Sequence, residues 1–199
     1  ISSELNSASG GSAVPVGFAV ASLDVTAQKV VFTKDFIDDP IAPGGTGALR
    51  FTILNTDRNN PTTDMAFTDD LDAILSGLVA TGLPQSNVCG FGSSLTGSGL
   101  ISLTGGNLPA EGSCSFDVTV QVPAGAVPGQ YTNTTSTLTG DLDGSPFVSN
   151  SAVSQLFVEP SPLLSKEFTN DPVGAGSDVT LEFTVTNTCL LYTSPSPRD

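Results

Sequence analysis

The 199-residue chain carries 20 acidic residues against 6 basic ones, a formal charge of −14, although only 13% of its residues are charged and 38% are hydrophobic. Six Lys and Arg cannot build the basic face that a phosphate backbone needs, so nucleic-acid binding is excluded, and the apolar content excludes an acidic disordered chain. With no histidine, His-based triads, His-ligated metals and imidazole acid/base chemistry are excluded as well.

In chain order, the first segment, ISSELNSASGGSAVPVGFAVASLDV, starts at Ile1 without an initiator Met, a basic n-region or an apolar h-region, and reads as internal to a longer protein. No later run approaches the roughly 18 apolar residues that cross a bilayer, so no membrane span is expected. From Lys29 onward apolar and polar residues alternate with period two. The predicted strands are KVVFTK, TGALRFTIL, DMAFTD, LISLTG, SCSFDVTVQV, QYTNTTSTL and FVSNSAVSQLFV, punctuated by Gly, Pro and Asn. Leu49, Phe51 and Ile53 share one face of the second strand, and Cys114, Phe116, Val118, Val120 and Val122 share one face of the fifth. Two such one-sided sheets bury their apolar faces against each other, so the expected fold class is all-β, an immunoglobulin-like β-sandwich. DDLDAILSGLVATGL (Asp69–Leu83) is the ambiguous stretch: a helical turn or two starting near Asp70 or Asp72, or a strand followed by a loop.

An internal repeat organises these strands. Residues 32–55 align without a gap on residues 164–187 with nine identities in 24 positions, at an offset of 132: Lys34/Lys166, Phe36/Phe168, Asp39/Asp171, Pro40/Pro172, Gly44/Gly176, Leu49/Leu181, Phe51/Phe183, Thr52/Thr184 and Asn55/Asn187. A second match, at offset 133, sets Leu5–Val25 over Leu138–Val158. The expected organisation is therefore tandem: the end of a preceding repeat over 1–27, a complete repeat over 28–159, and the start of a following one over 160–188. The joins TAQK (26–29) and EPSPL (159–163) are the linkers, the second stiffened by its prolines.

Cys89 and Cys114 read as a disulfide between a long loop and an inward strand position, which implies an oxidising compartment; two buried free thiols are the alternative. Two cysteines without histidine cannot complete a tetrahedral zinc shell. Three acidic groups stand out: Asp35, Asp38 and Asp39; Asp69, Asp70 and Asp72; and Asp141 with Asp143 in GDLDGS. Hard cations take six to eight oxygen ligands, so Asp35, Asp38, Asp39, Asp141 and Asp143 are candidate calcium ligands at the repeat junctions; solvated loop carboxylates are the competing reading. No cofactor other than calcium suggests itself. With no Trp a sugar-stacking cleft is poorly provided for, and carboxylate spacing along a sequence does not give the spatial separation a glycosidase needs, so an enzyme is disfavoured. GFGSSLTGSG (90–99) lacks the Lys-Ser/Thr and helix of a phosphate loop. Gly44, in APGGT, and Pro40 read as structural turn residues. Tyr131 follows a Pro/Gly turn and suits a tyrosine corner, and Asn133-Thr134-Thr135 is formally a glycosylation sequon.

After LEFTVTNT the alternation stops, and CLLYTSPSPRD (Cys189–Asp199) reads as the in-frame translation of a transposase-library sequencing adapter; a native Ser/Pro-rich linker is the alternative. The body of the chain carries a family resemblance in its Lys-x-Phe…Pro…Pro-Gly-Gly-Thr start, the Phe67–Asp69 centre, the Gly105–Cys114 segment GGNLPAEGSC and the Gly129–Asn133 end GQYTN. Over residues 1–188 it resembles the DUF11-like repeats of large bacterial surface and secreted proteins; Ala175 and Ser177 depart from that pattern where the complete repeat has Pro43 and Gly45. The resemblance implies an extracellular, non-catalytic stalk or spacer that projects other domains and has its neighbouring repeats as partners. The alternative is an adhesive module that binds a host glycan or protein, or another cell-surface ligand, through the loops between about 55 and 112.

Overall fold

A computed structural model describes residues 28–160 and 162–187. The strands are β1 (Val30–Phe36), β2 (Thr46–Asn55), β3 (Thr62–Asp70), β4 (Val79–Thr81), β5 (Gln85–Ser86), β6 (Ser94–Gly97), β7 (Leu100–Leu108), β8 (Ser113–Gln121), β9 (Gly129–Leu142), β10 (Ser145–Val158), β11 (Leu163–Phe168) and β12 (Leu181–Thr186). No helix occurs among the described residues. The seven strands legible from period-two alternation are all present; β4, β5 and β6 are short additions between β3 and β7.

Two sheets form the sandwich, one ordered β1-β2-β8-β4 and the other β10-β9-β3-β7-β6-β5, with antiparallel pairing throughout. Their inner faces meet in a phenylalanine cluster. Phe67 of the second sheet lies 4.5 Å from Phe32 and 5.0 Å from Phe51 of the first, centroid to centroid, and Phe51 lies 5.5 Å from Phe116. Leu49, Phe51, Ile53, Val118, Val120 and Val122 are fully buried, so the inward phase of β2 and β8 follows directly from the alternation of their residues. The face count follows from the same physics: polar residues at the intervening positions, such as Arg50 and Asp117, pair across the outer surface at 2.7 and 2.8 Å.

The edge strands β1 and β10 are joined by side chains where no backbone ladder forms. Asn150 Nδ2 donates to the Phe32 carbonyl at 2.8 Å, Ser154 Oγ accepts from the Phe36 N–H at 3.2 Å, and Ser149 Oγ donates to the Val30 carbonyl. These polar groups occupy backbone donors and acceptors that an open edge would offer to another chain. The end of β10 is fixed as well, because Ile41 N–H donates to the Phe157 carbonyl at 2.9 Å and Glu159 N–H to the Ile41 carbonyl at 3.1 Å.

Within Asp69–Leu83 the chain forms turns over 71–77 rather than a helix, followed by β4. Asp70 accepts from the Ala73 N–H at 3.1 Å as a helix N-cap would, but Asp72 takes the Gly77 N–H at 2.6 Å, a donor that a continuing helix would have used internally. Gly77 stands at a φ of 87°, and Leu71 and Leu78 are buried on either side, which pins the compact turn.

β11 and β12 pair as a separate two-stranded sheet. Its register repeats that of β1 and β2: Lys166↔Phe183 and Phe168↔Leu181 match Lys34↔Phe51 and Phe36↔Leu49. Backbone details recur too, with cis bonds at Asp39–Pro40 and Asp171–Pro172 and positive φ at Gly44 (77°) and Gly176 (86°). The burial does not recur. Phe183 is 61% exposed where Phe51 is 0%. Both the reading of 1–27 as the end of a repeat and the adapter reading of Cys189–Asp199 concern residues outside those described.

Candidate functional site

Three polar side chains occupy inward positions that the strand period reserves for apolar ones. On β1 the inward phase runs Val30, Phe32, Lys34, Phe36; on β3 it runs Met65, Phe67, Asp69; on β9 it includes Asn133 and Thr135. The Lys34 and Asp69 side chains are both 0% exposed. Lys34 Nζ donates to Asp69 Oδ1 at 3.1 Å and to Oδ2 at 3.0 Å, and Asn133 Nδ2 donates to the same Oδ2 at 3.1 Å. The amine of one sheet and the carboxamide of the other therefore meet on a single carboxylate oxygen. Asn133 Oδ1 is buried without a hydrogen-bond partner. An unpaired buried acceptor costs about 1–3 kcal/mol, so its retention inside a well-packed sandwich asks for an explanation.

The surroundings fix the electrostatics. Lys34 stands opposite Phe51 in the β1–β2 ladder, and Asp69 lies two residues from Phe67 on the same face of β3, so the pair borders the phenylalanine cluster. Burial is the largest influence on both groups: it lowers the Lys34 pKa and raises that of Asp69, against the attraction and hydrogen bonding between them. Both shifts move the proton from the ammonium toward the carboxylate. The low-dielectric interior thus weakens the preference for the ionised pair and brings the neutral amine beside a carboxylic acid closer in energy.

Most residues singled out from the sequence lie elsewhere, with two exceptions. Cys89 and Cys114 are bonded, with Cα atoms 5.2 Å apart, and tie the loop after β5 to β8. Closing a separation of 25 residues contributes about 3 kcal/mol on chain-entropy grounds. Asp35 accepts from Ser154 Oγ at 3.4 Å, Asp38 from the Ala48 N–H at 2.9 Å, and Asp39 from the Phe157 N–H at 3.1 and 3.2 Å. Asp141 and Asp143 flank the start of β10, whereas Asp39 sits at its end, so the five proposed calcium ligands are not brought together. No group of three or more His, Cys, Asp or Glu is placed to hold a metal among the described residues. Tyr131 donates its hydroxyl to the Val127 carbonyl at 2.7 Å, across the preceding turn. Gly44 N–H donates to the Val122 carbonyl at 3.1 Å, and Pro40 follows Asp39 through the cis bond. The exceptions are Asp69, from the second acidic group, and Asn133, both 0% exposed. The sequon is closed in the folded chain, because a buried asparagine cannot carry a glycan.

Asp39 gives a pH signature. Burial, reinforced by the nearby Asp35 and Glu159 carboxylates and opposed by the Phe157 N–H, pushes it up from 3.8 to about 6. Its raised folded-state pKa means that the native state holds the extra proton between those values, so stability falls as pH rises from about 4 through about 6. Partial exposure screens the effect. The Tm gain on moving from pH 7 to pH 5 is expected to be about 2 °C smaller in Asp39→Asn than in the parent; equal gains in the two proteins would exclude Asp39 as the source.

None of the curated proteins matches the sequence. Among solved structures, the major pilin subunit BcpA of Bacillus cereus overlays with a TM-score of 0.49 at 16% identity, covering 69% of this chain and 42% of that one. The seventh ScaB type I cohesin of Pseudobacteroides cellulosolvens gives 0.43 at 13% identity, covering 65% and 93%. A non-cellulosomal cohesin of the archaeon Archaeoglobus fulgidus gives 0.43 at 14% identity, covering 64% and 90%. At these scores the sandwich rests on the chain's own strand order. Residues 31–158, from β1 to the last residue of β10, match the family described as Domain of unknown function (DUF7933), and the chain belongs to that family.

Proposed function

We propose that the chain is a structural, non-enzymatic unit of a bacterial surface or secreted protein, a spacer whose tandem copies hold other domains away from an attachment point. The observation that supports this reading most is the β11–β12 hairpin, which restarts the β1–β2 register at an offset of 132 residues directly after the sandwich ends at Val158. Entry and exit strands are also joined to each other, through Ser149, Asn150 and Ser154, which suits a unit pulled from both ends. The −14 charge favours separation between neighbouring arrays. A chain carrying two copies of 28–160 in series is expected to scatter as a rod, its maximum dimension longer by about 45 Å than that of one copy, the length of a 14-residue strand. A compact two-copy particle would defeat the spacer reading.

One observation favours an adhesive role instead. Phe91 is 92% exposed in the loop that the Cys89–Cys114 disulfide holds, and a rigidly presented aromatic side chain is a common binding anchor. Saturable binding of the full chain to a host-cell glycan or protein array, lost in Phe91→Ala, would decide for adhesion.

A further inference from the structure

We propose that Lys34 and Asn133 join in an intramolecular amide bond, formed by the folded chain itself with Asp69 as the acid/base. The geometry carries it. A primary amine, a carboxyl group and a carboxamide from three different strands converge in a site closed to water, with the amine and amide nitrogens on one Asp69 oxygen at 3.0 and 3.1 Å. A buried ion pair alone needs no asparagine, and a buried asparagine placed only for stability would not leave Oδ1 without a donor.

The chemistry balances without any co-reactant. Asp69 takes a proton from Lys34, leaving a neutral amine whose lone pair attacks Cγ of Asn133. As the Nζ–Cγ bond forms, the Asp69 proton is delivered to the amide, and the carboxylate removes a proton from Nζ. The Cγ–Nδ2 bond then breaks and Nδ2 leaves as ammonia. One proton remains on Asp69, so the product site holds a neutral amide beside a neutral acid, and that acid can donate to the oxygen of the former Asn133 carboxamide. No charge stays buried and the orphaned acceptor gains a partner, which answers both anomalies of the unreacted site.

Holding both reactants on one carboxylate oxygen supplies the effective concentration that amide formation between free side chains in water lacks. The positions chosen are also mechanically sensible. β1 lies at the edge of one sheet and β9 beside the edge strand of the other, so the bond crosses the sandwich and covalently bridges its first strand to its penultimate one.

The test is mass measurement on the full chain, folded at neutral pH and then denatured and reduced so that the disulfide does not contribute. The intact mass is expected about 17 Da below the sequence mass, one ammonia lost. Tryptic digestion is expected to release peptide 30–50, uncleaved after Lys34, bonded to peptide 59–166. This cross-linked pair separates the proposal from succinimide formation at an asparagine, which loses the same mass within one peptide. Cleavage after Lys166, whose residue is exposed, serves as the internal control. Asp69→Asn and Lys34→Met are each expected to show the full sequence mass and no cross-linked pair. A folded parent chain, shown by slow amide hydrogen exchange in β2 and β8, that retains its full mass and cleaves after Lys34 would overturn the proposal. Cross-linking at the parent rate in Asp69→Asn would overturn the role of Asp69 even if that variant is unstable, because the covalent product survives unfolding.

Discussion

Lys34→Met is expected to destabilise the sandwich by about 3–5 kcal/mol, because it leaves the Asp69 carboxyl buried with no cationic partner. Guanidinium denaturation should show this as a lower midpoint with an unchanged slope, and heating as a Tm lower by roughly 15 °C. The single variant alone does not say what kind of interaction was lost. A triple variant, Lys34→Met with Asp69→Leu and Asn133→Leu, does. If the three groups form only a hydrogen-bonded ion pair, replacing them together with apolar residues restores the parent stability or exceeds it, since the desolvation penalty vanishes with the charges. If Lys34 and Asn133 are joined covalently, the triple variant stays below the parent by about 4–5 kcal/mol, the chain-entropy contribution of closing a loop of roughly 100 residues. The same comparison made on chain freshly folded and on chain aged at neutral pH should widen with time only in the second case.

The strands were legible for a plain reason: alternation in β2 and β8 is unbroken, and burial then follows position by position from Leu49 to Ile53 and from Phe116 to Val122. The turn over 71–77 was not, because Ala73, Ile74 and Leu75 have helix-compatible composition and the competing acceptors, Asp70 and Asp72, reveal their donors only in three dimensions. β4, β5 and β6, of two to four residues, are too short to carry a period.

The buried triad was hidden differently. In sequence Asp69 stands with Asp70 and Asp72 as one acidic run, and Asn133 opens a sequon, because adjacency in sequence groups residues that a strand sends to opposite faces. Strand phase separates them. Asp69 is in step with Met65 and Phe67, Asn133 with Tyr131 and Thr135, and Lys34 with Phe32 and Phe36. A charged residue in apolar phase on one strand demands an opposite charge on another, and Lys34 and Asp69 are such a pair. What no sequence reading supplies is that Asn133 meets them on one oxygen, because the strands β1, β3 and β9 come together only through the topology of two different sheets.

Phe51→Ala is expected to cost about 3–5 kcal/mol and to act on the triad as well. Phe51 is 0% exposed and contacts three rings, at 6.3 Å from Phe32, 5.0 Å from Phe67 and 5.5 Å from Phe116, so removing it opens the cluster at its centre. Its register partner is Lys34. A cavity bordered by an amine and a carboxyl group is polar enough to admit water, unlike one lined only by hydrocarbon. Water there relieves the burial that lowers the Lys34 pKa and raises that of Asp69, and so shifts the pair toward its ionised form. Each unit by which the gap between the two pKa values widens reduces the fraction of neutral amine beside carboxylic acid about tenfold. The cross-link should therefore accumulate about tenfold more slowly in Phe51→Ala than in the parent, followed as the 17 Da loss with time after refolding, and raising the pH should not restore the rate, because it removes the proton that Asp69 delivers. Phe51→Leu, which keeps most of the volume, should lose about 1 kcal/mol and cross-link near the parent rate. If Phe51→Ala lost stability as expected but cross-linked as fast as the parent, the exclusion of water by the phenylalanine cluster would not be what sets the proton on Lys34.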